Sequence, residues 1–128
     1  MSQEAKSLEI EICNTSFGDC ITFTFTGEFK EVDALEGIEE WRNIFEPLDT
    51  KVSLVWDCLK MTGFESGARV AWQKAMKEMG DRIDKVWLIS SSPVIRTGAK
   101  LMSTFTKFKI KSVKTHEEVL AEKMKMQQ

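Results

Sequence analysis

Polar and apolar residues alternate one by one in two early stretches, "LEIEIC" at 8–13 and "ITFTFT" at 21–26. Period-two alternation rich in Ile, Phe and Thr predicts two strands, each with one buried face. "NTSFGD" between them supplies turn residues, so the pair reads as an antiparallel hairpin, and Gly27 is expected to end its second strand. The period then changes. Leu35, Ile38, Trp41, Phe45 and Leu48 recur every three or four residues, which makes one helical stripe over 32–46. Asp33 reads as its cap, and Pro47 as its stop.

From here strands and helices alternate. "VSLVW" at 52–56 is a nearly continuous apolar run that ends at Asp57, the pattern of a strand buried on both faces. Residues 58–65 read as a loop. Ala68, Trp72, Ala75 and Met79 then share one face of a helix over 66–79. "VWLI" at 86–89 is a second buried strand. "SSSP" follows, with Ser92 placed to cap a helix and Pro93 suited to its first turn. Leu101, Met102 and Phe105 are expected on the inner face of that helix. "FKI" at 108–110 reads as an edge strand, and Thr115 with Glu118 has capping-box spacing for a last helix. The tail over 122–128 is expected to fray. One tryptophan falls in each central element, Trp41, Trp56, Trp72 and Trp87, so all four are assigned to the core.

A hairpin followed by alternating strands and helices predicts an α/β fold. Its sheet is mixed and mostly parallel, of about five strands, flanked by helices. The whole of 1–128 fits one domain of ordinary size. In such sheets ligands and partners meet the carboxyl ends of the strands, which here fall at Asp57–Glu65 and Ser90–Ser92.

Composition narrows the function. The formal net charge is −2, which disfavours nucleic acid as a partner. No apolar run is long enough to span a membrane and the first residues lack a signal-peptide core, so a cytoplasmic protein without stable membrane insertion is expected. The three cysteines, Cys13, Cys20 and Cys58, match no metal spacing and read as reduced thiols. No cofactor or metal site is expected. The sole histidine, His116, sits in the first turn of the last helix and reads as solvent-facing. No nucleophile–base pair, glycine-rich phosphate loop or nucleophile elbow is present, so the chain is not expected to be an enzyme.

The stretch that carries most information is "VSLVWDCLKMTGFESGARVAW", 52–72. A buried strand ends in an acid, seven residues follow, and Glu65-Ser66-Gly67 opens a helix. This resembles the STAS domain, the family of sulfate-transporter and anti-sigma factor antagonist domains, which shows Asp-Ser-Ser-Gly at this place. "ITFTFTGEF", "KVWLISSSPVIRTGAKLMSTF" and "KIKSVKTHEEVLA" resemble that family's second strand, the strand and helix after its switch helix, and its final strand and helix. Glu65 stands in place of Asp, and Gly67-Ala68 in place of Ser-Gly.

The resemblance implies a bacterial, non-enzymatic regulatory module that binds a protein partner such as an anti-sigma factor kinase. It implies that Ser66 accepts a phosphate, and it places Asp57, Met61, Phe64, Glu65, Gly67, Ser91 and Ser92 at the partner surface. Residue chemistry offers Ser66 a plainer role as a helix cap worth about 1 kcal/mol. A phosphate there would add nearly two charges where helix N–H groups and the dipole tolerate them. Two further readings remain. One is a STAS-like domain that binds a small apolar ligand or lipid between Met61, Phe64, Met102 and Phe105. The other is an acid-based enzyme using Asp57 and Glu65.

Overall fold

The computed structural model describes residues 7–15, 18–103 and 108–126. The elements are β1 (Leu8–Thr15), β2 (Gly18–Phe29), α1 (Glu31–Phe45), β3 (Val52–Phe64), α2 (Ser66–Met79), β4 (Ile83–Ile89), α3 (Pro93–Ser103), β5 (Lys109–Val113) and α4 (His116–Met126), with a 3-10 turn at Gly80–Arg82. The five strands form one sheet in the order β1-β2-β3-β4-β5. The β1–β2 pair is antiparallel and the other three pairs are parallel, so the mixed, mostly parallel sheet is as expected. The hairpin is present too. The tip of its turn, residues 16–17, lies outside the described residues.

Strand order that follows the chain has a consequence for the helices. Successive right-handed crossovers that all step the same way put their helices on the same face. Accordingly α1, α2 and α3 share one face. There Phe23, Leu54, Trp56, Val86 and Leu88 meet Ala34, Ile38, Trp41, Phe45, Trp72, Met76, Ile95 and Ala99 in the main core. The helix α4 follows the last strand and covers the opposite face, where Val119 packs with Val55, Trp87, Ile89 and Val113. All four tryptophans are buried. On the α4 face the ammonium groups of Lys85 and Lys111 lie 5.2 and 5.8 Å from the Trp87 ring.

Trp72 is the hub of the main core. Phe23, Phe25 and Phe29 of β2 meet its ring edge-to-face at 5.6, 5.7 and 5.5 Å. Trp41 of α1 lies 5.1 Å away and Trp56 of β3 6.2 Å. One side chain thus joins α2 to α1 and to the two central strands.

Three expectations are corrected. The strand β3 does not stop at Val52–Trp56. It leaves β4 at Asp57↔Ile89 but stays paired with β2 as far as Phe29↔Phe64. Gly27 does not end β2. It has φ +71 and pairs with Met61 between two register shifts that each give β3 one extra residue. Such bulges add twist and re-aim side chains. The helix α1 begins at Glu31, two residues before Asp33. Its N-cap Lys30 makes no side-chain cap bond, and Asp33 instead accepts a hydrogen bond from the Ser7 hydroxyl. The last helix, α4, runs to Met126.

Two stripes are also phased differently. Ala34, rather than Leu35, begins the buried face of α1, and Leu35 is 56% exposed. On α3 the inner face is Ile95, Ala99 and half-buried Met102, while Leu101 is exposed. Phe105 lies outside the described residues.

Replacing the hub tests this packing. Trp72→Ala is expected to lower unfolding free energy by about 3–5 kcal/mol in urea titrations. Val70→Ala, two residues away but exposed, should stay within about 0.5 kcal/mol.

Candidate functional site

Past Asp57, β2 and β3 run on together as a two-stranded ribbon beyond the edge of β4. The ribbon ends where the Glu65 N–H donates to Phe29 O at 2.9 Å, and α2 starts at the next residue. The first turns of α1 and α2 are thereby brought side by side. Ser66 is exposed at the first position of α2. It is not the cap: the N-cap residue is Glu65, which makes no side-chain cap bond to its own helix.

Glu65 caps the neighbouring helix instead. Its Oε1 accepts the Glu31 N–H at 2.7 Å, which satisfies one free donor at the start of α1. The Glu31 carboxylate in turn lies against Gly67, in the first turn of α2. A Cβ on Gly67 would meet Glu31 Cδ at 2.6 Å and Oε1 at 3.0 Å. Each helix start therefore holds the other helix's acid, and both carboxylates sit where the dipole favours negative charge. A side chain at 67 would push the Glu31 carboxylate aside.

A groove between α1 and α2 runs away from this corner. Ser66, Gly67 and Glu31 form its head, and the exposed Leu35 and Val70 stand on its walls. Arg42 holds its far part, with Nε and Nη2 donating to the two Glu78 oxygens at 2.6 and 3.2 Å. Both partners of that pair are about half exposed, so its role is geometric more than energetic.

Asp57 is not part of this corner. Alternation along β3 turns it to the α4 face, opposite α2. There Oδ1 accepts the Leu59 N–H at 3.2 Å, and Oδ2 lies 2.7 Å from His116 Nε2. His116 is thus not simply solvent-facing. It pins the first turn of α4 to the sheet. The two residues are 59 apart in the chain, and nothing in the local sequence signals the pair. Asp57 and Glu65 are engaged with different partners and form no acid–base couple.

Ser90 is buried at the end of β4. It donates its N–H to Val113 O at 3.0 Å, and its carbonyl accepts Arg96 Nε at 2.7 Å. Its hydroxyl accepts the Ser92 N–H at 3.1 Å. Ser92 caps α3 as expected, accepting the Ile95 N–H at 3.4 Å. Ser91 is exposed.

Met61 and Phe64 lie half-buried on the underside of the ribbon. With Met102 they line an apolar cavity of about 50 Å³ between the ribbon, α2 and α3. These are three of the four residues named for a ligand cavity. Cys58 is on its wall, and burial pushes that thiol's pKa well up, with nearby Asp57 adding to the effect. Cys20 is likewise buried and outside any disulfide, and the side chain of Cys13 lies outside the described residues. Among the described residues no group of three or more His, Cys, Asp or Glu is placed to hold a metal, and no helix is long and apolar enough to cross a membrane.

Two measurements check this geometry. Glu65→Ala should lower stability by about 1 kcal/mol, the usual cost of a lost helix cap, read as a shift in urea midpoint. Cys58 should resist iodoacetamide at mildly alkaline pH in the folded protein and react on unfolding, because the thiolate is the reactive form. Rapid alkylation of folded protein at Cys58 would contradict its burial.

No protein-family model and no curated protein sequence matches the chain. Solved structures do. One is an uncharacterized protein of the DUF3478 family with a SpoIIAA-like fold, from Shewanella loihica. It has a TM-score of 0.78 and 15% identity, covering 95% of this chain and 98% of that one. Another is the anti-sigma factor antagonist SpoIIAA in its unphosphorylated form, with a TM-score of 0.65 and 15% identity over 92% and 97% of the two chains. Identity this low establishes fold alone, and the fold is the one that the STAS resemblance implied: the chain has the SpoIIAA-like α/β fold.

Proposed function

We propose that this chain is a non-enzymatic regulatory module that binds a protein partner over the α1–α2 groove, with Ser66 as its switch. The observation that carries the reading is the exposed Ser66 hydroxyl at the head of a groove walled by exposed Leu35 and Val70. Exposed apolar side chains rimmed by charge suit a protein partner. The anti-sigma factor antagonist with the same fold supports the regulatory class, and an anti-sigma factor kinase is the partner type that the resemblance implies.

The proposed surface keeps Glu65, Ser66 and Gly67. It extends along the groove rather than toward Asp57 or the Ser91–Ser92 loop. Phosphorylation would act through charge. A phosphate on Ser66 adds nearly two negative charges beside Glu65 and Glu31. In this chain the Glu31 carboxylate already lies against Gly67 in the first turn of α2. The phosphate therefore repels Glu31, loosens the α1–α2 corner and projects charge over the groove. The partner binds the unmodified form and is released from the modified one.

Intact-mass spectrometry with peptide mapping on protein from its native cells should find phosphate on the Ser66 peptide and none in Ser66→Ala. A photo-crosslinking residue at Val70 should capture a protein partner, and Ser66→Asp should abolish the capture. A clean mass in every growth phase would remove the phosphate switch. Absence of any Val70 adduct beyond that of an exposed control position, Ile12, would remove the docking surface.

A further inference from the structure

A cleft between α3 and the edge strand β5 lies at the other end of the sheet from the β1 edge. Arg96, Thr97 and Lys100 of α3 line it, with Ile110 and Ser112 of β5. Ile110 and Ser112 pair in register with Val86 and Leu88, core residues beneath the helices, so both face α3. Lys109 and Lys111 alternate to the opposite face, where Lys111 pairs with Glu122 of α4. The lining therefore gathers an arginine, a lysine and two hydroxyls, with no acid among them.

Arg96 is the fixed point of this cleft. Its Nε donates to Ser90 O at 2.7 Å, and the Ser90 N–H donates to Val113 O at 3.0 Å. Two hydrogen bonds thus tie the half-buried guanidinium to the end of β5. With Nε committed, the donors on the two terminal nitrogens are the ones that a ligand in the cleft can meet. Lys100 lies one turn further along α3, and like charges four residues apart on a helix repel. An anion between them turns that repulsion into attraction. The surrounding sequence adds to the field. Residues 83–126 hold nine Lys and Arg against four Asp and Glu, in a chain whose formal net charge is −2. A local surplus of that sign draws anions.

We propose that this cleft binds the phosphate of a small phosphomonoester. An arginine fork donates two parallel hydrogen bonds to phosphate oxygens, and an ammonium serves beside it as a point charge. The Thr97 and Ser112 hydroxyls supply two more donors. A phosphomonoester offers three strong acceptor oxygens and nearly two charges, so it uses this donor set more fully than a carboxylate does. The inference does not depend on Ser66 or on the α1–α2 groove.

The test is a titration of the folded chain with glycerol 3-phosphate at constant ionic strength, followed by backbone amide resonances in ¹⁵N–¹H spectra. Mildly alkaline pH keeps the phosphate dianionic. The expected result is a saturable shift, with millimolar affinity, confined to the amides of 96–100 and 110–113. Inorganic phosphate should compete for the same amides, and acetate should leave them unmoved. Arg96→Lys keeps the charge but loses the fork, and should weaken binding about tenfold, the scale of one charge-assisted hydrogen bond. Lys100→Gln should weaken it severalfold. Lys109→Gln removes the same charge from the opposite face of β5 and should leave affinity unchanged. Absence of a saturable shift at these amides overturns the site. Equal weakening by Lys100→Gln and Lys109→Gln overturns it too, because only general charge would then be at work. That pair of exposed positions decides the matter even where Arg96→Lys perturbs the fold. Acetate binding as tightly as glycerol 3-phosphate overturns the assignment of phosphate, and binding of inorganic phosphate alone overturns that of a monoester.

Discussion

The pairing of β2 with β3 beyond the reach of β4 is the constraint on which the rest of the structure depends. Over Ser53–Asp57 the strand β3 is held from both sides, by β2 and β4. From Cys58 to Phe64, β3 has only β2 beside it. Two extra residues in β3, placed around Gly27 at its positive φ, twist the ribbon over α2 and α3. That path delivers Met61 and Phe64 to the cavity roof. It also ends the strand at the place where Glu65 reaches the start of α1 and Ser66 opens α2.

Beneath the ribbon the structure is stiff, and the stiffness is aromatic. Aromatic contacts around Trp72, edge-to-face to β2 and β3 and tilted to Trp41, fix α2 against β2, β3 and α1. The corner above is held by lighter means: one backbone hydrogen bond to Glu65, and a carboxylate resting on Gly67. A firm base with a lightly held corner suits the charge change proposed for Ser66. At the start of α2 the Glu31 carboxylate already lies against Gly67, so the proposed phosphate on Ser66 would meet a resident negative charge.

Much of the fold was legible because the periodicities were clean. The alternation in "ITFTFT" and the apolar runs at 52–56 and 86–89 gave strands, and the order of elements gave the sheet. The far half of β3 was not legible for a physical reason. "KMTGF" lies in a ribbon with one free edge and two bulges, so it alternates with neither face and carries a glycine. Leu35 was misplaced because Ala34 and Gly37, small residues with weak apolar signal, are what α1 buries there. The Asp57–His116 pair joins residues far apart in the chain, which local patterns do not reveal. The cavity was foreshadowed by Met61, Phe64 and Met102.

The central claim is that residues 58–64 are ordered strand, hydrogen-bonded to β2, and not a loop. Native-state hydrogen exchange by NMR tests it most directly. The account predicts that the Glu65 amide, bonded to Phe29 O, and the amides of 58–64 that point at β2 exchange slowly. Exchange of the whole segment at unprotected rates, while Val55 and Trp56 stay protected, would contradict it, and the cavity roof and the α1–α2 corner would lose their support with it.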